Sequence, residues 1–117
     1  MSRSALPLLA LLASLLATTA VAGPKTDTSA GKATYEAQCL ICHGMAGDGM
    51  GPAGAAQKPA PTDFTTAAWW EGKTDTTIMG AIRRGSAGTS MQAYNKLSRE
   101  DLENLAAYLQ GFRPDGQ

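Results

Sequence analysis

Cys39-Leu40-Ile41-Cys42-His43 holds both cysteines and the only histidine of this 117-residue chain, and Cys-x-x-Cys-His is the attachment pattern for haem c. If the segment is helical, a spacing of three puts both thiols on one side of a turn, within reach of the two haem vinyl groups. The adjacent imidazole then points at the iron. Cys39 and Cys42 are therefore the expected thioether anchors of one covalent haem, and His43 an axial iron ligand. Three plainer readings compete. A zinc site needs four ligands, usually two more Cys or His elsewhere, and the chain has none. A thioredoxin-like dithiol belongs beside near-continuous apolar strands, which this sequence lacks. A plain Cys39–Cys42 disulfide would not require a histidine as the next residue.

Composition independently asks for a cofactor. Residues 1–22 read as a secretory signal: Arg3 is the positive start, Ala5 to Ala17 the apolar run, and Ala20-Val21-Ala22 an A-x-A-like cleavage site. The mature chain is expected to begin at Gly23. Residues 23–117 contain five Leu, three Ile, two Phe and no Val, ten such residues in 95, about half the usual floor for a globular chain. Charge balance keeps it out of the disordered class, because without Arg3 nine basic residues face ten acidic ones, a net −1. A buried porphyrin would supply the missing apolar mass. Cleavage is the favoured reading, although residues 5–22, with Ser14, Thr18 and Thr19, could serve as an uncleaved anchor despite being short for a span. Either way the domain is expected outside the cytoplasm. No basic patch suggests nucleic acid, and neither a repeat nor a second domain is visible.

Residues 23–29 read as a polar, flexible leader, and Ala30 to Gln38 as a helix running into the motif, with Gly31 and Tyr35 four apart on one face. The glycines and prolines of residues 44–61 exclude regular structure and imply a loop wrapped over something. Thr74 is a good N-cap, after which Ile78, Met79 and Ile82 keep helical spacing until Gly85. Ser98 with Asp101 forms an acidic capping box. Leu102, Leu105, Ala106 and Leu109 then form an i, i+3, i+4, i+7 stripe up to Gly111. With no Val and few β-branched apolar residues, sheet is not expected.

These segments together resemble a class I c-type cytochrome of the small bacterial monohaem kind. The resemblance rests on Gly31-Lys32-Ala33-Thr34-Tyr35, on Cys39 to His43, on Gly51-Pro52 nine residues after the histidine, and on Gly88-Thr89-Ser90-Met91; Ser98 to Gln110 matches the family's C-terminal helix. It implies an all-α cytochrome c fold, about three to five helices with glycine-rich loops around one covalent haem. That domain spans residues 30–113, and residues 114–117 form a tail. In it the first and last helices cross, Gly31 allows their close approach, and Tyr35 packs near Leu105, Tyr108 and Leu109. The resemblance also nominates the Pro52 carbonyl as acceptor for the second ring N–H of His43.

The sixth iron ligand is argued partly by elimination. A single histidine excludes bis-histidine ligation within one chain, and a Met/His pair raises the reduction potential of an electron-transfer haem. Met45 is too close to His43, Met50 lies in the glycine loop, and Met79 reads as a gap-filling core methionine. Met91, 48 residues after His43 and in the family's ligand position, is the expected ligand, with an open iron site as the alternative. The family often has Pro after that methionine; Gln92 follows here, which leaves the stiffness of the loop to other contacts. Trp69, Trp70, Lys73, Arg83 and Arg84 are candidates for the haem propionates, and Phe64 and Tyr94 for the pocket wall.

The expected function is that of a periplasmic bacterial single-electron carrier, monomeric and not an enzyme, exchanging electrons with donor and acceptor redox proteins. It would meet a membrane only through partner complexes or an uncleaved anchor. A haem subunit of a larger periplasmic oxidoreductase is the alternative. A catalytic or gas-binding haem protein is the weaker one, since it needs an open iron and distal acid–base groups, and no second histidine is available.

Overall fold

The computed structural model describes residues 1–2, 4, 14–20 and 25–115. Arg3, residues 5–13, Val21, Ala22 and the expected mature start Gly23 lie outside the described residues, as do residues 116–117 of the expected tail. No helix among the described residues is long and apolar enough to cross a membrane.

Five helices follow in order, α1 (Thr28–Gln38), α2 (Leu40–His43), α3 (Ala67–Trp70), α4 (Asp75–Arg84) and α5 (Arg99–Leu109), and a 3₁₀ turn (Gln110–Phe112) closes the last one. Among the described residues there is no strand. Helix α1 starts two residues before the expected Ala30, inside the segment read as leader. The cause is Asp27, whose carboxylate accepts from the Ser29 and Ala30 N–H groups at 2.9 and 3.1 Å, satisfying two orphan donors of the first turn. Its own N–H donates to Asn104 Oδ1 on α5 at 2.8 Å, so the cap also ties the two terminal helices together.

Helices α1 and α5 cross at Gly31, where a Cβ would overlap the Asn104 carbonyl. Tyr35, one turn on, is fully buried, its ring 5.3 Å from both Tyr108 and Phe112. Its hydroxyl donates to the Gly44 carbonyl at 2.6 Å. The α5 stripe of Leu102, Leu105, Ala106 and Leu109 is buried throughout, each leucine gaining about 1.5–3 kcal/mol from leaving water. Both expected N-caps are present: Ser98 with Asp101, and Thr74 with Thr77, exchange reciprocal side-chain bonds. Ile78 and Ile82 of α4 face the same core.

Residues 44–61 form no helix, as expected, yet they are held firmly. Gly44, at φ 84°, turns the chain out of α2, a backbone conformation that suits glycine. The loop then folds back so that its N–H groups meet the last carbonyls of α2: Gly49 on His43 at 2.8 Å, Gly51 on Cys42 at 3.1 Å, and Ala53 on Ile41 at 2.8 Å. These carbonyls lack helical partners, and the loop supplies them. The sequence carries no signal for helix α3, because a single turn of two Ala and two Trp shows no periodicity.

Candidate functional site

The core is built around a hollow. Tyr35, Phe64, Ile82, Leu105 and Leu109 belong to the buried cluster and also line a cavity of about 310 Å³. Into the same cavity come Cys39, Cys42 and His43 from the α1–α2 junction and Met91 from the segment after α4. The motif is helical as required: Cys39 caps α1 and begins α2, with the Cys42 and His43 N–H groups returning to its carbonyl at 3.2 and 2.9 Å. Both thiols are free. Burial, with the Cys42 charge adding to it, pushes the Cys39 thiol up to about 11.

His43 is oriented on two sides. Its ring stacks on Phe64, centroids 4.7 Å apart and 19° between planes, and its Nδ1 lies 3.1 Å from the Thr62 carbonyl. A carbonyl only accepts, so Nδ1 carries the proton and Nε2 the lone pair. Burial lowers the imidazole's affinity for a proton, partly opposed by the Thr62 bond, which favours the neutral, ligating form. The acceptor is thus Thr62, not Pro52. Pro52 sits exposed at the crest of the loop while its neighbours Gly51 and Ala53 bind α2, and it does not line the cavity.

Trp69, Trp70 and Arg83 also fail to reach the cavity, as do Lys73 and Arg84. The Trp70 indole N–H is spent on the Phe64 carbonyl at 2.7 Å, and the Trp69 ring packs on Phe64 and Trp70 with the Lys73 ammonium 5.2 Å above it. Arg83 and Arg84 are exposed at the end of α4. Phe64 and Tyr94 do line the cavity, as expected, and Met79 packs against the core outside it.

A polar rim that the sequence pattern does not mark as part of the site completes the lining: Gln38, Gln57, Thr62, Ser86, Thr89 and Ser90. The signal available was the cluster of hydroxyl residues immediately before Met91 and the Pro59–Pro61 stretch that feeds Thr62 toward His43. Among the described residues, no Lys, Arg, Asp or Glu lines the cavity. Two free thiols, one neutral imidazole with Nε2 available, a thioether and an apolar wall fit a covalently held porphyrin, with neutral hydroxyl and amide groups at its rim.

Residues 26–109 match the family model described as cytochrome C oxidase, cbb3-type, subunit III. The chain is 36% identical over 87 residues to cytochrome c-554(547) of Halothiobacillus neapolitanus, covering 71% of this chain and 93% of that relative. Among solved structures it is similar to the KustC0563 c-type cytochrome, with a TM-score of 0.61, 26% identity, and coverage of 71% of this chain and 96% of that one. It is also similar to a chain of the Kuenenia stuttgartiensis reducing HAO-like protein complex Kustc0457/Kustc0458, with a TM-score of 0.66 and 27% identity. The match covers 80% of this chain but spans only 46% of that one.

Proposed function

Because the chain belongs to the c-type cytochrome domain family matched over residues 26–109, and so carries covalent haem c in an electron-transfer role, we propose that it is a periplasmic single-electron carrier with His43 and Met91 as axial ligands. The observation that carries this reading is the gathering of both free thiols, the His43 ring with its Nδ1 already engaged, and Met91 around one cavity. When bound, the haem supplies a one-electron ferric/ferrous couple. Cys39 and Cys42 hold it through thioethers. Thr62 and Phe64 fix the imidazole plane, while Tyr35, Ile82, Leu105 and Leu109 keep water from the site.

The route for electrons to partner proteins lies beside the attachment motif. Ile41, between the two cysteines, is 58% exposed, and Met45 and Met50 on the following loop are 79% and 70% exposed. Exposed apolar side chains beside the motif suit the small, weak contacts of redox encounters, below about 1,200 Å² in total. A haem subunit of a larger oxidoreductase is a second reading, favoured by the likeness to a chain of the reducing HAO-like complex. Native size-exclusion chromatography of the protein drawn from its own cells separates the two, a free carrier eluting as a monomer.

Acid–organic extraction followed by haem staining of a denaturing gel tests the attachment. All haem should remain with the chain, and its complete release would exclude the thioethers. The purified wild type should bind little carbon monoxide and show negligible peroxidase turnover; sustained peroxide-driven oxidation would replace the carrier reading with a catalytic one.

A further inference from the structure

The segment that presents Met91 is bonded mainly to itself. The Ser86 N–H donates to the Met91 carbonyl at 3.1 Å, the Thr89 N–H and hydroxyl both donate to the Ser86 carbonyl at 3.1 and 2.7 Å, and the Met91 N–H donates to Thr89 Oγ1 at 3.1 Å. This ring makes residues 86–91 a unit. Farther on, the Tyr94 N–H reaches Ile82 and its hydroxyl reaches Gln38. Toward the glycine-rich loop of residues 44–61, one hydrogen bond crosses among the described residues: the Ser90 hydroxyl donates to Gln57 Oε1.

Gln57 is itself held from behind. Its Nε2 donates to the Ala53 carbonyl at 3.2 Å, which settles the amide orientation because a carbonyl can only accept, and leaves Oε1 facing Ser90. The Ala53 N–H in turn donates to the Ile41 carbonyl at 2.8 Å. A line of bonds therefore runs from Ile41, inside the attachment motif, through Ala53 and Gln57 to Ser90, the residue before Met91. Both Gln57 and Ser90 line the cavity, and Ser90 is exposed to water that can compete for the bond.

We infer that the Ser90–Gln57 contact is a clasp that keeps the Met91 segment closed over the cavity, making both side chains positioning residues for the sixth iron ligand. The inference rests on the His43/Met91 reading above. The clasp adds a tether toward the 44–61 loop at a segment where Gln92, and not a proline, follows the methionine. Losing one neutral hydrogen bond should raise the open fraction roughly fivefold, within about two- to twelvefold.

The test is stopped-flow imidazole binding to the ferric holoprotein, in which the added ligand enters only after the Met91 sulfur leaves. Ser90→Ala and Gln57→Leu should each bind roughly fivefold faster than wild type. The double variant should be no faster than either single one, as for two ends of one contact. Ser90→Thr, which keeps the hydroxyl, should restore the slow rate, a rescue that a merely structural role for Ser90 does not require. Met91→Ala is the reference: it should bind fast, and adding Ser90→Ala to it should change nothing. Wild-type rates in both single variants, with Met91→Ala still fast, would overturn the clasp and leave the Met91 ligand standing. A Met91→Ala protein as slow as wild type would overturn the ligand reading, and the clasp with it. A changed pH dependence of the reduction potential at an unchanged imidazole rate would assign the pair to the haem carboxylates and also overturn the clasp.

Discussion

Met91 and Met79 are chemically alike, and their positions separate them. Met91 lines the cavity, whereas Met79 packs on the core from α4. Replacing Met91 with Ala should lower the reduction potential and let the ferrous protein bind carbon monoxide. Met79→Ala should leave both unchanged and cost about 2 kcal/mol in denaturant unfolding, the low end for methionine truncation at a partly buried site. Exchange of these two outcomes would reassign the ligand. Tyr35 is a second separable case. Its hydroxyl bonds Gly44, whose carbonyl also accepts from Gly47 at 3.2 Å, so Tyr35→Phe should cost about 1 kcal/mol at neutral pH. Burial foremost, with Tyr108 and Asp48 adding to it, holds the Tyr35 hydroxyl above its ordinary value of 10.0. A raised folded value means that the protonated form stabilises the fold. That stability is complete below about pH 10 and is lost as pH climbs beyond it. The wild type's advantage over Tyr35→Phe should therefore shrink in urea melts above that pH.

At the scale of elements, the α1–α5 crossing depends on the absence of a side chain at one point. Ala at Gly31 would gain about 1 kcal/mol of helix propensity, but its Cβ would overlap the Asn104 backbone, and two capped helices cannot part without exposing Tyr35 and Leu105. Gly31→Ala should therefore be destabilising by about 1–3 kcal/mol or more. Lys32→Ala, on the exposed side and losing only an ion pair of 3.7 Å with Glu36, should stay within about 0.5 kcal/mol. Thermal melts of the holoprotein compare the two. Capping shows how far local sequence reaches: Thr74 and Ser98 stand at the caps their residue types suit. Asp27 carries no such local mark, because nothing strongly apolar follows it closely, and its role is completed by Asn104, far along the chain.

Over the whole molecule, a chain with ten large aliphatic or Phe residues in its last 95 arranges its core around a cavity. Without haem, that core faces a void instead of a packed partner. The Cys39→Ala, Cys42→Ala double variant, unable to form thioethers, should show reduced helical circular dichroism and a broad, weakly cooperative melt, while a sharp two-state transition like that of the holoprotein would show that the core suffices alone. The sequence by itself determined the covalent attachment motif, the three long helices, the caps Thr74 and Ser98 of two of them, and the need for a cofactor, because each is written in spacings of a few residues or in composition. It also singled out Gly31 and Tyr35 as a contact face. Only the tertiary structure decided that Thr62 and not Pro52 receives the His43 N–H, that Trp69, Trp70 and Arg83 turn away from the cavity, and that Gln57 meets Ser90. Those outcomes depend on how an irregular loop spends its backbone hydrogen bonds, Gly51 and Ala53 on α2 and Phe64 N–H on Gly47 at 2.7 Å, and a loop without periodicity encodes such pairings only through the surfaces it is pressed against.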